Sequence, residues 1–191
     1  HRGVLACLAA LMLIAGVVYA AGVPLGLVHN YYGPAVHSMA QNWTAWFWGA
    51  QDPNAMLTLD KLPGAFQLQA LSARVFGYST WSVLLPQVVA AVAAVGVLFD
   101  TVRRWLGPHA ALASAAALAA TPIVAALAHS QIVDTWLMLL GVTAAWAWTL
   151  AVQSGRVGWL LLSGLFVGWA FNVKMVQAWG VLPALALTYW L

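Results

Sequence analysis

The ionisable side chains that could do chemistry in this chain are few, and acids recur near cations. Asp60 and Lys61 are adjacent, Asp52 lies in the segment before them, and Asp134 and Lys174 each border a long apolar run. A carboxylate can accept a proton from an attacking hydroxyl, and ammonium groups can neutralise a phosphate. If the fold gathers these residues, they form a polar site suited to an anionic headgroup and a polar partner.

The composition determines the kind of protein that must position these charges. Of the 191 residues, 64% are hydrophobic and 6% are charged, with a net charge of +3 and a mean hydropathy of +0.88. A soluble domain usually carries about a quarter charged residues, so the sequence excludes an ordinary soluble fold, and its apolar content excludes disorder. The excess cations are too scattered to form a nucleic-acid-binding face, and the single Cys7 provides no disulfide framework. We therefore expect an all-α polytopic membrane protein in a lipid bilayer.

Apolar runs of about 20 residues predict about six membrane-spanning helices in one transmembrane domain, residues 1–191. The first span covers residues 1–27. A signal peptide is its alternative interpretation, because Arg2 precedes the run and Val18-Tyr19-Ala20 resembles a cleavage site. The five further spans within 81–191 are predicted at Trp81–Phe99, Ala110–Ala128, Thr135–Val152, Val157–Val173 and Val176–Leu191. We expect the chain to be a fragment or a shortened form of a longer protein.

The segment 28–80 is predicted to be a long outer loop that carries interfacial helices. Apolar residues from Val36 to Ala50 recur at helical spacing and predict a first helix, which lies in the membrane interface with its tryptophans at the level of the headgroups. Gln51-Asp52-Pro53-Asn54 predicts a turn. A second helix is predicted from Pro63 to Phe76, before Gly77.

The distribution of basic residues predicts the orientation. Arg2, Arg156 and the Arg103-Arg104 pair fall on one side of the six-span arrangement, which is therefore expected to be cytoplasmic. Most of the remaining ionisable side chains then gather at the outer surface: Asp52, Asp60, Asp134, Lys61, Arg74, Lys174, His29 and His129. Charges at span ends usually face a wet cavity or pair with one another.

Two other interpretations of this cluster remain open. In the first, Asp60 and Lys61 form a surface pair, and Asp134 and Lys174 mark helix ends. In the second, two histidines and an aspartate bind a metal, but no ligand pair stands at i, i+3 or i, i+4 spacing.

The outer segment resembles bacterial glycosyltransferase family 39. These are C-type membrane glycosyltransferases, related to the protein O-mannosyltransferases and to the lipid A aminoarabinose transferase. The similar stretches are Tyr31–Met39, which opens with Tyr-Tyr, then Leu59-Asp60-Lys61-Leu62-Pro63, and Leu68–Gly77. The similarity continues in order through Trp81–Gln87, Arg103-Arg104 with Gly107-Pro108, Thr121-Pro122, Asp134 and Val173-Lys174-Met175.

The resemblance implies transfer of a sugar, a hexose or a pentose, from a polyprenyl phosphate or diphosphate carrier. The acceptor hydroxyl, on a lipid, a glycan or a protein, attacks at the periplasmic or extracellular face of the bacterial cytoplasmic membrane. Lys61 and Lys174 match lysines of the family and, with Arg74, are expected to bind the donor phosphate. Asp60 matches the second acidic position of the family and Asp134 the third. The residues expected to support the polar cavity are Asp134, His129, Asn30 and Tyr32.

The sequence departs from the family where its catalytic acid is expected. Val28-His29-Asn30 replaces the usual Asp-Glu pair after the first span. The segments that end in Asp52 and Asp60-Lys61 resemble a branch that also lacks this pair, so Asp52 is the first candidate base and Asp60 the second. The sequence identifies no particular cofactor. A divalent metal stays an open alternative, because carboxylates suit both a metal-free and a metal-assisted reaction. The missing acid and Leu62 in place of a proline favour a second function, a non-catalytic subunit of a larger membrane-protein complex. A transporter or flippase of lipid carriers is a third interpretation.

Overall fold

The computed structural model describes residues 2–190, and its regular structure is helical. His1 and Leu191, which belong to the predicted first and last spans, lie outside the described residues. The helices are α1 (Arg2–Gly22), α2 (Tyr32–Gln41), α3 (Trp43–Trp48), α4 (Gly64–Phe76), α5 (Thr80–Ala120), α6 (Pro122–Ala128), α7 (Asp134–Ser154), α8 (Val157–Lys174) and α9 (Leu182–Trp190). Short 3-10 helices follow α1 at Val23–Leu25 and α8 at Met175–Val181.

Four helical stretches of the described residues are long and apolar enough to cross a membrane. They are Arg2–Leu25, Thr80–Ala120, Asp134–Ser154 and Val157–Thr188. A helix satisfies its backbone hydrogen bonds internally, which is what the hydrocarbon of a bilayer requires. The predicted class, an all-α polytopic membrane protein, is confirmed.

The longest of these stretches, α5, reverses direction within itself. Gly107 interrupts it with a φ of 81° and a ψ of 177°, a conformation that glycine tolerates because it has no Cβ. Val95 and Phe99 before this break share one buried cluster with Ala111 and Ala115 after it. In one straight helix Val95 and Ala115 would lie about 30 Å apart. The two arms of α5 therefore run antiparallel, which accounts for two of the six predicted spans.

The last stretch reverses after α8. The chain passes through the 3-10 helix Met175–Val181, and α9 then returns beside α7 and α8. Thr188 of α9 accepts a hydrogen bond from the indole of Trp148 in α7 at 3.0 Å, and Leu185 lines a groove together with Leu160 of α8. The span predicted from Val176 therefore begins as a 3-10 helix and not as an α-helix.

The span predicted over Ala110–Ala128 is not one continuous helix. The second arm of α5 ends at Ala120, and α6 starts at Pro122 after the extended Thr121. Proline has no N–H to donate to the preceding turn, so it starts a new helix there.

Residues 26–79, which we call the cap, cover one end of the helix bundle. The predicted second helix is confirmed as α4, with Pro63 at its N-cap and Gly77 at its C-cap, and the predicted turn after Gln51 is also present. The predicted single helix from Val36 to Ala50 is wrong, because the chain forms α2 and α3 with a break at Asn42. The Asn42 side chain accepts the N–H of Thr44 at 2.8 Å and thereby starts α3.

The cap is packed onto the bundle. Leu27 pairs in parallel with Ser130, and its N–H donates to the His129 carbonyl at 3.1 Å. Met39 and Phe66 of the cap are fully buried in the same core as Leu84 of α5. The cap backbone is therefore held against the membrane helices by this pairing and by the shared core.

Candidate functional site

Tyr32, at the start of α2, gathers an acid and a cation. Its hydroxyl donates to Oδ2 of Asp60 at 3.5 Å, and Nζ of Lys61 lies 4.7 Å from the centroid of its ring. The ring also stacks on Phe66 of α4, with centroids 4.7 Å apart and planes inclined by 23°. Asp60 and Lys61 are both exposed. We call Tyr32, Asp60 and Lys61 the Tyr32 group.

A second acid–cation pair joins the ends of two membrane helices. Nζ of Lys174 donates to Oδ1 of Asp134 at 2.5 Å, and the two side chains are 26% and 30% exposed. Asp134 is the first residue of α7 and Lys174 the last of α8, so each charge also complements the dipole of its own helix.

A close backbone approach brings these two groups to one corner of the molecule. A Cβ added to Gly64 would lie only 2.9 Å from the carbonyl oxygen of Asn172, so α4 begins directly against the end of α8. Lys61 precedes Gly64 by three residues, and Lys174 follows Asn172 by two. Three residues of extended chain reach about 10 Å. The Tyr32 group and the Asp134–Lys174 pair therefore lie at one corner, which we call the polar corner.

Two buried glutamines link the segment before the Tyr32 group to α4 by hydrogen bonds. Gln131 accepts the N–H of His29 at 2.9 Å and donates to Oε1 of Gln69 at 3.0 Å. Gln69 is fully buried and Gln131 is 2% exposed. The sequence analysis did not predict this link. The signal for it is the presence of glutamines within apolar stretches, because a buried amide side chain needs a hydrogen-bond partner.

The structure does not bring Asp52 and Arg74 to the polar corner. Arg74 donates to the Met39 carbonyl at 3.1 Å, and its guanidinium lies 3.7 Å from the ring centroid of Trp43. The loop of Asp52 is held nearby, because the Asn42 side chain donates to the carbonyl of the following Pro53. Both therefore lie at the C-terminal end of α2, and the ten residues of that helix separate them by about 15 Å from the Tyr32 group at its other end.

The Asp52 carboxylate closes its own loop. Oδ1 accepts the N–H of Asn54 at 3.0 Å, and Oδ2 accepts those of Met56 and Leu57 at 2.9 and 2.8 Å. These backbone donors, Leu57 foremost, hold the pKa of Asp52 below its ordinary value of 3.8. A carboxylate with a lowered pKa and occupied lone pairs is a weaker base.

The remaining predicted cavity residues lie in different places. Asn30 is exposed in the turn immediately before the Tyr32 group. His129 instead packs on the end of α1, since a Cβ on Gly22 would lie 2.0 Å from its ring. Among residues 2–190 no group of three or more His, Cys, Asp or Glu side chains could hold a metal ion.

The fold and the polar corner together define a helical membrane protein whose cap places carboxylates and ammonium groups at one end of its spans. The profile of the family described as "Dolichyl-phosphate-mannose-protein mannosyltransferase" matches residues 60–191, and the chain belongs to this family. This confirms the resemblance to membrane glycosyltransferases found in the sequence.

Two bacterial relatives support the same assignment. The chain is 38% identical over 162 residues to "Putative mannosyltransferase YkcB" of Bacillus subtilis (strain 168), which covers 85% of this chain and 23% of the relative. It is 37% identical over 161 residues to "Putative mannosyltransferase YycA" of the same organism, covering 84% of this chain and 24% of the relative. The chain thus spans about a quarter of the length of these curated relatives. No solved structure matches it significantly.

Proposed function

We propose that this chain carries the sugar-transfer site of a bacterial membrane glycosyltransferase. The donor is a sugar on a polyprenyl phosphate carrier, and the acceptor is a hydroxyl at the outer face of the cytoplasmic membrane. The observation that carries the proposal is the polar corner, where the Tyr32 group and the Asp134–Lys174 pair both lie within a few residues of the close approach between Gly64 and Asn172. The family match, which begins at Asp60, and the mannosyltransferase names of the relatives support it.

Asp60 is the base in this proposal. Its carboxylate is exposed and has the distant Tyr32 hydroxyl as its hydrogen-bond partner among the described residues, so it retains lone pairs for an incoming hydroxyl. Asp52, the first candidate from the sequence, has three backbone N–H groups on its oxygens and lies at the other end of α2. We assign Asp52 to loop closure for that reason.

The chemical step then divides between the carboxylate and the ammonium groups. The acceptor oxygen attacks the anomeric carbon while its proton passes to Asp60. The bond between the anomeric carbon and the phosphate oxygen breaks, and that oxygen retains the electron pair. Lys61 and Lys174 stabilise the resulting charge on the phosphate leaving group. Asp134 holds Lys174 in position, at 2.5 Å.

The decisive experiment compares two conservative variants in liposomes. Asp60→Asn and Asp52→Asn are each assayed for transfer from a radiolabelled polyprenyl-phosphate mannose, with donor binding and thermal stability measured on the same preparations. Asp60→Asn should lower the transfer rate by about 100-fold or more, because a positioned base contributes about that much. Asp52→Asn should retain most of the transfer rate at equal folded fraction.

Two results would contradict the proposal. If Asp52→Asn abolishes transfer and Asp60→Asn does not, the base is assigned to the wrong carboxylate. If the chain neither transfers nor binds the donor and instead co-purifies with one stoichiometric membrane protein, it is a non-catalytic subunit. The absence of an acid at Val28-His29-Asn30 is the observation that favours this second function.

A further inference from the structure

The end of the bundle opposite the cap carries the whole net charge of the chain. Arg2, Arg103, Arg104 and Arg156 lie there with one acid, Asp100, whereas three acids and three cations balance at the cap end. Basic residues at one end of a bundle of spans face the anionic lipid of the cytoplasmic leaflet.

Asp100 forms ion pairs with two of the arginines at this basic end. It accepts hydrogen bonds from Arg103 at 2.5 Å, from Nε of Arg104 at 2.8 Å and from the Trp146 indole at 2.8 Å. One carboxylate thus pairs with two guanidinium groups, and the excess positive charge stays uncompensated. Arg104 also contacts Asp100 through a second nitrogen at 2.7 Å, so Asp100 keeps a partner if Arg103 is replaced.

A groove of about 430 Å³ opens beside Arg103. Gly3, Val4, Arg103, Pro108 and His109 line it, between the start of α1 and the reversal of α5. Nε of Arg103 is buried and has no hydrogen-bond acceptor within the part of the chain that the structure describes. The ionisable side chains that line the groove are a guanidinium and an imidazole, which suit a phosphate group.

The groove also lies where a lipid can reach it. It adjoins the first residues of α1 and the turn between the arms of α5, which is the level at which these spans leave the hydrocarbon. The apolar window of α1 is only 11% buried within the protein, and Leu5, close to the groove, is 48% exposed. Acyl chains can therefore lie along α1 while a headgroup occupies the groove.

We propose that this groove binds the headgroup of an anionic phospholipid. The phosphate accepts hydrogen bonds from Arg103 and His109, and the acyl chains pack against the exposed face of α1. The site is at the end of the bundle opposite the polar corner and does not depend on the proposed function.

The groove can be blocked without removing a charge, which provides a sharp test. Gly3 lines the groove and a Cβ built on it meets no atom within 4 Å, so the larger side chain of Gly3→Leu should occupy part of the groove. Gly158→Leu is the matched control, because Gly158 is an exposed helical glycine near the same end and is equally open. A second pair, Arg103→Gln and Arg156→Gln, removes one positive charge at the groove or away from it.

The assay is native mass spectrometry of the intact chain released from mixed micelles of phosphatidylglycerol and phosphatidylcholine. The wild type, Gly158→Leu and Arg156→Gln should retain phosphatidylglycerol preferentially, whereas Gly3→Leu and Arg103→Gln should bind it about tenfold more weakly or worse. Inorganic phosphate should not displace the lipid at millimolar concentration, because it has no acyl chains.

Each alternative outcome would overturn the proposal. Equal retention of the two lipids by the wild type would show that the groove does not select an anion. Equal losses in Arg103→Gln and Arg156→Gln, with Gly3→Leu unaffected, would indicate diffuse attraction to the surface. Displacement by inorganic phosphate would indicate a site for a small free anion and not for a lipid.

Discussion

The ring of Tyr32, more than its hydroxyl, should set the activity of the polar corner. The hydroxyl lies 3.5 Å from Asp60, well beyond the usual O–H···O distance of about 2.7–2.8 Å, so it contributes little. The ring contacts Lys61 at 4.7 Å and stacks on Phe66 at 4.7 Å. An exposed cation–π contact is worth about 0.5–1 kcal/mol, and an aromatic stack about 0.5–1.5 kcal/mol.

These magnitudes separate two variants. Tyr32→Phe keeps both ring contacts, so kcat/KM should stay within about threefold of the wild type. Tyr32→Leu loses about 1–2.5 kcal/mol of positioning, which corresponds to a loss of about 5- to 70-fold in kcat/KM if all of it appears in the transition state. The assay is the initial rate of sugar transfer in liposomes at several donor concentrations, with thermal unfolding measured in parallel.

A double-mutant cycle tests whether the ring acts through Lys61. In a Lys61→Met background, Tyr32→Leu should cost less than in the wild type, because the contact that it removes is already absent. The reasoning is refuted if Tyr32→Phe is as damaging as Tyr32→Leu, since the hydroxyl would then be the essential group. Strict additivity with Lys61→Met would refute the link to the lysine.

Three further predictions concern the carboxylates. The lowered pKa of Asp52 means that its loop is protected above the ordinary value of 3.8 and loses this protection as the pH falls through the lowered value. The protection factors of the amides after Asp52, taken against the intrinsic exchange rate at each pH, should therefore fall at low pH in the wild type and be small at every pH in Asp52→Ala. Lys174→Met leaves the partly buried Asp134 without its ion-pair partner and should destabilise the chain by about 1–3 kcal/mol in an unfolding titration, since the pair is neither fully buried nor fully exposed. Lys174→Met combined with Asp134→Asn should recover part of that loss, and no recovery would exclude the ion pair as the cause. Asn30→Asp should restore transfer to Asp60→Asn in the liposome assay if both positions serve the same reaction centre, whereas no rescue at equal folding would place Asn30 outside it.

The sequence was sufficient for features that depend on local signals. Pro63 and Gly77 delimit α4 because proline favours a helix start and a positive φ, 79° here, favours glycine at a helix end. Asp134 and Lys174 were expected at span ends, where uncompensated charge avoids hydrocarbon, and they are the termini of α7 and α8.

The sequence was insufficient where a helix-capping side chain or a long-range contact competes with the apolar pattern. The apolar periodicity continues through Asn42, but its side chain accepts the Thr44 N–H and starts a new helix. Arg74 was grouped with the phosphate-binding lysines because of its charge and motif. Its actual neighbours are the Met39 carbonyl and the Trp43 ring, 35 residues away in one case, and no local pattern encodes such a contact.

In the structure, Asp60 lies close to the segment after the first span, where the family has an acid and this chain has none. His29, in the segment where the resemblance places the family's acids, has its ring 4.8 Å from that of Tyr32. Asp60, which follows Tyr32 by 28 residues, accepts a hydrogen bond from the hydroxyl of the same tyrosine at 3.5 Å. A carboxylate at either position would therefore border one tyrosine, whereas Asp52 is separated from it by the length of α2. In the proposed reaction a base must reach the reacting atoms, and Asp60 would do so beside the same tyrosine at which the resemblance places the acid of the family. These positions favour Asp60 over Asp52 as the base, although the sequence makes Asp52 the first candidate.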